Sequence, residues 1–178
     1  VAISSNYAII GASNYHIYDY GDTGRFVARF KKTADGDWYE YTPSYNNQLQ
    51  ADWAGQHGLS KGNLYEVEIG HECTDIVGAN IFEQCNSLTK INMEYAYRLT
   101  TLPTGFSKNC ASLNTFIGSK YTEGQSFTIT LDSFNGCKKL SIVRFPYYIT
   151  RIEKTAFANC YDESANTGLE FIHFPYSL

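Results

Sequence analysis

The amino-acid sequence predicts a β-rich solenoid of short parallel strands, preceded by a cap that contains a β-hairpin. Three observations predict it. A Phe–Cys element recurs as Phe82-Glu-Gln-Cys85, Phe106-Ser-Lys-Asn-Cys110, Phe134-Asn-Gly-Cys137 and Phe157-Ala-Asn-Cys160, its phenylalanines 23 to 28 residues apart. An apolar run with the period of a strand follows each element. Composition agrees, because 16% of residues are aromatic, with fifteen Tyr and eleven Phe, and such side chains suit a pleated, half-buried surface.

Residues 1–58 stand outside the repeat and are expected to form the cap. Residues 7–10 and 15–20 read as strands. Phe26-Val-Ala-Arg-Phe-Lys-Lys and Asp37-Trp-Tyr-Glu-Tyr flank Thr33-Ala-Asp-Gly36, which predicts a hairpin with a short Gly-containing loop. Beyond it, Leu49 and Trp53, closed by Gly55 and Gly58, have the spacing of a short helix.

Residues 59–178 hold about four and a half repeat units. The strand of each reads Leu88-x-x-Ile91-x-Met93, Leu113-x-x-Phe116-x-Gly118, Leu140-x-x-Val143-x-Phe145-Pro146 and Leu169-x-x-Ile172-x-Phe174-Pro175, after a partial copy, Leu64-x-x-Val67-x-Ile69. A second short element precedes each Phe: Thr74-x-Ile76, Thr100-x-Leu102, Phe127-x-Ile129 and Thr150-x-Ile152. One unit is therefore a coil of strand, turn, short strand, turn and Phe–Cys segment. Such a coil cannot bury its apolar side alone, so coils stack and their strands pair in parallel at about 4.8 Å.

These residues resemble the BspA-like leucine-rich-repeat family, whose units run approximately L-x-x-I-x-(aliphatic)-P-x-x-(T)-x-I-x-x-x-(A)-F-x-x-C. The segment Thr150-Arg-Ile152-Glu-Lys-Thr-Ala156-Phe157-Ala-Asn-Cys160 follows that pattern nearly throughout, and the likeness covers residues 64–178. Departures are the extra residue between Phe106 and Cys110, an interruption at 120–126, and a delay at 161–168; insertions in solenoids emerge as surface loops. The resemblance implies a secreted or cell-surface bacterial protein that contacts a host or bacterial surface protein, with a glycan as the alternative ligand.

Period-two alternation supplies candidate binding residues. If Ile91 and Met93 face inward, Lys90, Asn92 and Glu94 face outward. Stacking then builds one ladder from Glu66, Lys90, Thr115, Ile142 and Phe171, and another from Glu68, Asn92, Ile117, Arg144 and His173. Their character changes from polar to apolar and cationic, so Lys90, Asn92, Ile117, Ile142, Arg144, Phe171 and His173 are the nominated contacts. Tyr95, Tyr97, Tyr147, Tyr148 and Tyr176 fall on the turns after the strands, where they either cover the turns or line a binding edge. For a glycan, the nominees are Trp38, Tyr39, Tyr41 and Trp53 in the cap. The final strand, followed by no polar closing coil, is expected to allow self-association.

Other chemistries find little support. Cys85, Cys110, Cys137 and Cys160 share one repeat position, which suggests a buried structural ladder of small apolar side chains, although adjacent rungs could in principle come within bridging range. Without a CxxC or CxxH pair, no metal or cofactor is expected. His71, Cys73 and Asp75 could share one face of an extended stretch, but a turn is the expected role. Asp19-Tyr-Gly-Asp22-Thr-Gly24 reads as a turn sooner than a calcium loop. Without a Gly-x-Ser-x-Gly, HExxH or P-loop string, no enzyme is expected. The net charge of −4 comes with no basic stripe for nucleic acid. There is no apolar run long enough to span a bilayer, and Val1-Ala2-Ile3-Ser4 lacks the charged start of a signal peptide, so any targeting or anchor segment is expected to lie outside this chain.

Overall fold

A computed structural model describes residues 25–120, 126–169 and 171–174. The strands expected at 7–10 and 15–20, the Asp19–Gly24 turn and Tyr176 lie outside the described residues. Among the described residues fourteen short strands follow in chain order. The first half comprises β1 (Ala28–Lys31), β2 (Tyr39–Glu40), β3 (Gln48–Leu49), β4 (Glu66–Ile69), β5 (Asp75–Ile76), β6 (Lys90–Asn92) and β7 (Thr101–Leu102). The second comprises β8 (Thr115–Ile117), β9 (Phe127–Ile129), β10 (Ile142–Arg144), β11 (Ile149–Ile152), β12 (Tyr161–Asp162), β13 (Thr167–Gly168) and β14 (Phe171–His173).

The chain is a β-solenoid, and its main sheet runs in the order β14-β10-β8-β6-β4-β1-β2. From β4 to β14 every pairing is parallel and unshifted: Val67, Ile91, Phe116, Val143 and Ile172 lie side by side. These are the central apolar residues of each repeat, and the first four are buried. The cap reverses the polarity. β1 pairs antiparallel with both β2 and β4, matching Arg29 with Glu40 on one side and Glu68 on the other. The hairpin turn is closed by the Gly36 N–H donating to the Thr33 carbonyl at 3.2 Å.

Across the solenoid the second elements pair in parallel, β3 with β5, β7 with β9, and β9 with β11. The Phe–Cys segments stack as well, through backbone bonds from one coil to the next. Phe82 N–H donates to Phe106, Ser107 to Ser133, and Phe134 to Ala156, at 2.8 Å each. The rings between them form a continuous aromatic column in which Phe82, Phe106, Phe134 and Phe157 follow one another at 5.3, 6.3 and 5.0 Å. Phe116 of β8, where other coils carry aliphatics, meets Phe134 at 4.7 Å.

The column begins one coil earlier than the repeat pattern indicates. Trp53 is buried and packs on Phe82 at 5.5 Å and on Phe30 of β1 at 5.7 Å. Its indole N–H donates to the Ile81 carbonyl at 3.1 Å. The short helix expected around Leu49 and Trp53 takes the form of two 3-10 turns, Ala51–Trp53 and Gln56–Gly58. Two constraints explain this. Leu49 is held in β3 against Ile76, and both Gly55 (φ 103) and His57 (φ 52) are left-handed, which interrupts any α-helical run.

Of the insertions, 161–168 folds out as a hairpin in which β12 pairs antiparallel with β13. Gly168 closes it at φ 136, where a Cβ would meet the Cys160 carbonyl oxygen at 2.3 Å. Residues 121–125 of the other insertion lie outside the described residues.

Candidate functional site

The outward face of the main sheet follows from alternation and register. In β6 and β8 the middle residue is buried while its neighbours are partly exposed, and in β10 the neighbours Ile142 and Arg144 are exposed. Because the strands pair unshifted, these positions form two continuous rows. One is Glu66, Lys90, Thr115 and Ile142; the other is Glu68, Asn92, Ile117 and Arg144, and the next register positions on β14 are Phe171 and His173. The antiparallel hairpin extends both, with Lys31 opposite Glu66 and Arg29 opposite Glu68.

The two ends of this face differ in chemistry. At the cap end Arg29 and Glu68 satisfy one another. Arg29 Nε and Nη2 both reach Glu68 Oε2 at 2.6 Å, and Asn92 Nδ2 donates to Glu68 Oε1 at 3.2 Å. The Arg29 guanidinium also lies 4.6 Å from the ring centres of Phe26 and Trp38, and Lys31 Nζ is 5.0 Å from the Trp38 ring. At the other end Ile142 is 50% exposed. Among the described residues neither Arg144 nor Lys90 has a carboxylate within ion-pair distance.

The turns after the strands carry the tyrosines. Tyr147 and Tyr148 are exposed and meet edge to face at 4.9 Å. Tyr95 and Tyr97 are only partly exposed. Tyr97 stacks on the buried His71 with ring centres 6.0 Å apart, and Glu72 accepts from His71 Nε2 at 2.8 Å. Nearby, Lys120 pairs with Glu94.

Several cap aromatics nominated for a glycan prove to be interior. Trp53 is 1% and Tyr41 2% exposed, and both polar tips are engaged: Trp53 on Ile81, and the Tyr41 hydroxyl on Asp52 Oδ1 at 2.5 Å. Burial and that bond raise the Tyr41 phenol to about 12. One side of Trp38 is taken up by cations, and Tyr39 packs against His57 at 5.6 Å and Lys32 Nζ at 4.5 Å. These rings bind the hairpin together, a role invisible in sequence because it depends on which edge of the sheet β1 joins.

All five cysteines are buried thiols. Three donate to a carbonyl of the preceding coil: Cys110 to Phe82 at 3.0 Å, Cys137 to Ser107 at 3.1 Å and Cys160 to Phe134 at 3.1 Å. Desolvation raises Cys137 to about 12 and Cys160 to about 11. Cys110 is raised by its contact with Cys85 and by burial. A neutral thiol is a poor nucleophile and a poor metal ligand. Cys73 is likewise raised to about 12 by burial, and it donates to the Asp75 backbone carbonyl at 3.3 Å. The Asp75 carboxylate instead accepts the Ile76 N–H, so His71, Cys73 and Asp75 do not converge. Among the described residues no group of three or more His, Cys, Asp and Glu is placed to hold a metal ion.

Comparison with protein families matches residues 53–127 and 123–177 to the BspA type leucine rich repeat region, in six copies. The chain belongs to the BspA-type leucine-rich-repeat family. The match begins at Trp53, where the aromatic column also starts. Comparison with curated proteins and with solved structures gave no match. Proteins with BspA-type repeats are usually surface-associated, and a leucine-rich-repeat solenoid is typically a non-catalytic scaffold for protein interaction. No helix among the described residues is long and apolar enough to cross a membrane.

Proposed function

We propose that this chain is a non-catalytic interaction module of a bacterial cell-surface or secreted protein, which binds a protein partner through the outward face of its main sheet. The observation that carries the reading is the change in chemistry along that face, from the Arg29–Glu68 ion pair to exposed Ile142 beside Arg144, which among the described residues has no carboxylate within ion-pair distance. Burying the cap end would desolvate ion pairs already made, with little gain. Covering Ile142 and Ile117 removes apolar surface from water, and a partner carboxylate reaching Arg144 makes a charge-assisted hydrogen bond.

The test uses photo-crosslinking side chains placed singly at Ile142 and at Val77. Val77, 39% exposed, follows β5, outside the main sheet, and serves as the comparison. Both variants are exposed to bacterial-surface and host-matrix protein fractions. Adducts at Ile142 that are absent at Val77 are expected. Equal labelling at the two positions, or labelling at Val77 alone, overturns the reading.

A further inference from the structure

We infer that the face over β6, β8 and β10 takes an extended, acidic polypeptide segment in which an apolar residue stands midway between two carboxylates. The inference rests on the interaction face proposed above and adds the chemistry of its partner.

The argument starts from charge. At the cap end Arg29 is neutralised by Glu68, which also accepts from Asn92. Beyond that pair, the outward positions described on β6, β8 and β10 are Lys90, Asn92, Thr115, Ile117, Ile142 and Arg144. These six positions contain two cations and no acid, while Glu66 of β4 lies beside Lys90 on the cap side. The protein as a whole carries a net charge of −4, so this local positive character runs against the average and favours an anion here.

Register then sets the spacing. Lys90 and Arg144 are two strands apart and offset by two residues. With about 4.8 Å between strands and about 3.3 Å per residue, their Cα atoms are separated by roughly 12 Å. An extended segment covers that distance in about four residues, and its side chains at i, i+2 and i+4 share one face. Two carboxylates at i and i+4 would therefore reach Lys90 and Arg144 together. The side chain at i+2 falls between them, over Thr115 and Ile117, with the half-exposed Ile142 alongside. A polyanion without apolar groups would satisfy the cations but leave that isoleucine surface wet, so a peptide with the order acid-x-apolar-x-acid fits better than a sulfated glycan.

The test titrates the whole chain against a fluorescein-labelled peptide containing Asp-Ser-Leu-Ser-Asp, followed by fluorescence anisotropy. Two comparison peptides replace Leu by Ser or both Asp by Lys, and a heparin oligosaccharide serves as competitor. Arg144→Glu and Lys90→Glu are each expected to weaken the Asp-Leu-Asp peptide by about tenfold, as is Leu→Ser in the peptide. Lys154→Glu, on an exposed turn remote from this face, is expected to change nothing. Far-UV circular dichroism checks that each variant is folded, and Ile142→Ser offers a second, uncharged perturbation with the same expected loss. Equal binding of the Leu→Ser peptide, full displacement by heparin, or no binding of the Asp-Leu-Asp peptide overturns the inference. If crosslinks at Ile142 persist but are insensitive to Arg144→Glu, the interaction face stands and the acidic partner falls. If no crosslinks form at Ile142, both fall.

Discussion

Replacing Phe134 by Ala tests whether the aromatic column holds the coils together. Phe134 is fully buried and meets three rings, Phe106 at 6.3 Å, Phe116 at 4.7 Å and Phe157 at 5.0 Å. Truncating a buried Phe to Ala costs about 3–5 kcal/mol, the larger values applying where the surroundings cannot collapse into the cavity. Collapse is restricted here, because the backbone on either side is tied to the next coil by Phe134 N–H to Ala156 and Gly136 N–H to Ala158, at 2.8 and 2.9 Å. The expected loss is therefore about 4 kcal/mol. In a solenoid each coil contacts only its neighbours, so the damage should concentrate in the coils from β8 to β14. Both tryptophans, Trp38 and Trp53, lie at the opposite end. In a urea titration, hydrogen exchange should show residues 126–169 opening while tryptophan emission remains native. A loss below about 1 kcal/mol, or coincident transitions by the two probes, would refute the column as the element that couples these coils.

Three further outcomes are expected. Gly118→Ala should destabilise by about 1–3 kcal/mol despite the gain in chain stiffness, because its Cβ would meet Pro146 Cδ and N at 2.5 Å; thermal melting checks this, and an unchanged midpoint refutes it. The five buried thiols should resist alkylation at pH 8 in the native protein and all react in urea. Since Cys73 and Cys137 are raised to about 12, their stabilisation is complete below pH 9 and declines as pH rises from there toward 12, where the unfolded chain has already lost these protons; rapid native alkylation would contradict it. Asp132 accepts from Thr155, Asn135 and Lys108, which hold its carboxyl at about 2. Its contribution is present above pH 4 and lost as pH falls toward 2, so Asp132→Asn should flatten the acid limb of the stability profile; an unchanged slope between pH 4 and 2 counts against that network.

Much of the fold is legible in the sequence because a solenoid repeats one local problem. Each Leu-x-x-Ile-x-apolar run alternates with period two, and the Phe–Cys spacing sets coil length, so parallel unshifted pairing of Val67, Ile91, Phe116 and Val143 follows from stacking alone. The same alternation assigns Lys90, Ile117, Ile142 and Arg144 to the outward face. The helix expected near Trp53 is confined to two 3-10 turns, because pairing with β5 holds Leu49 in a strand and the left-handed Gly55 and His57 interrupt any longer run.

The sequence by itself determined the repeat, its register, and the identity of the inward and outward rows, since all three arise from spacing within one coil. Only the tertiary structure decided that Trp53 begins the aromatic column, that the hairpin joins the sheet antiparallel, and that Arg29 thereby neutralises Glu68. It also decided that Gly118 makes room for Pro146 of the next coil. These depend on contacts between segments distant along the chain, whose partners no local period selects. The physical difference is one of range: pattern governs how a coil is shaped, while packing governs what lies against its ends and which charges remain without a partner.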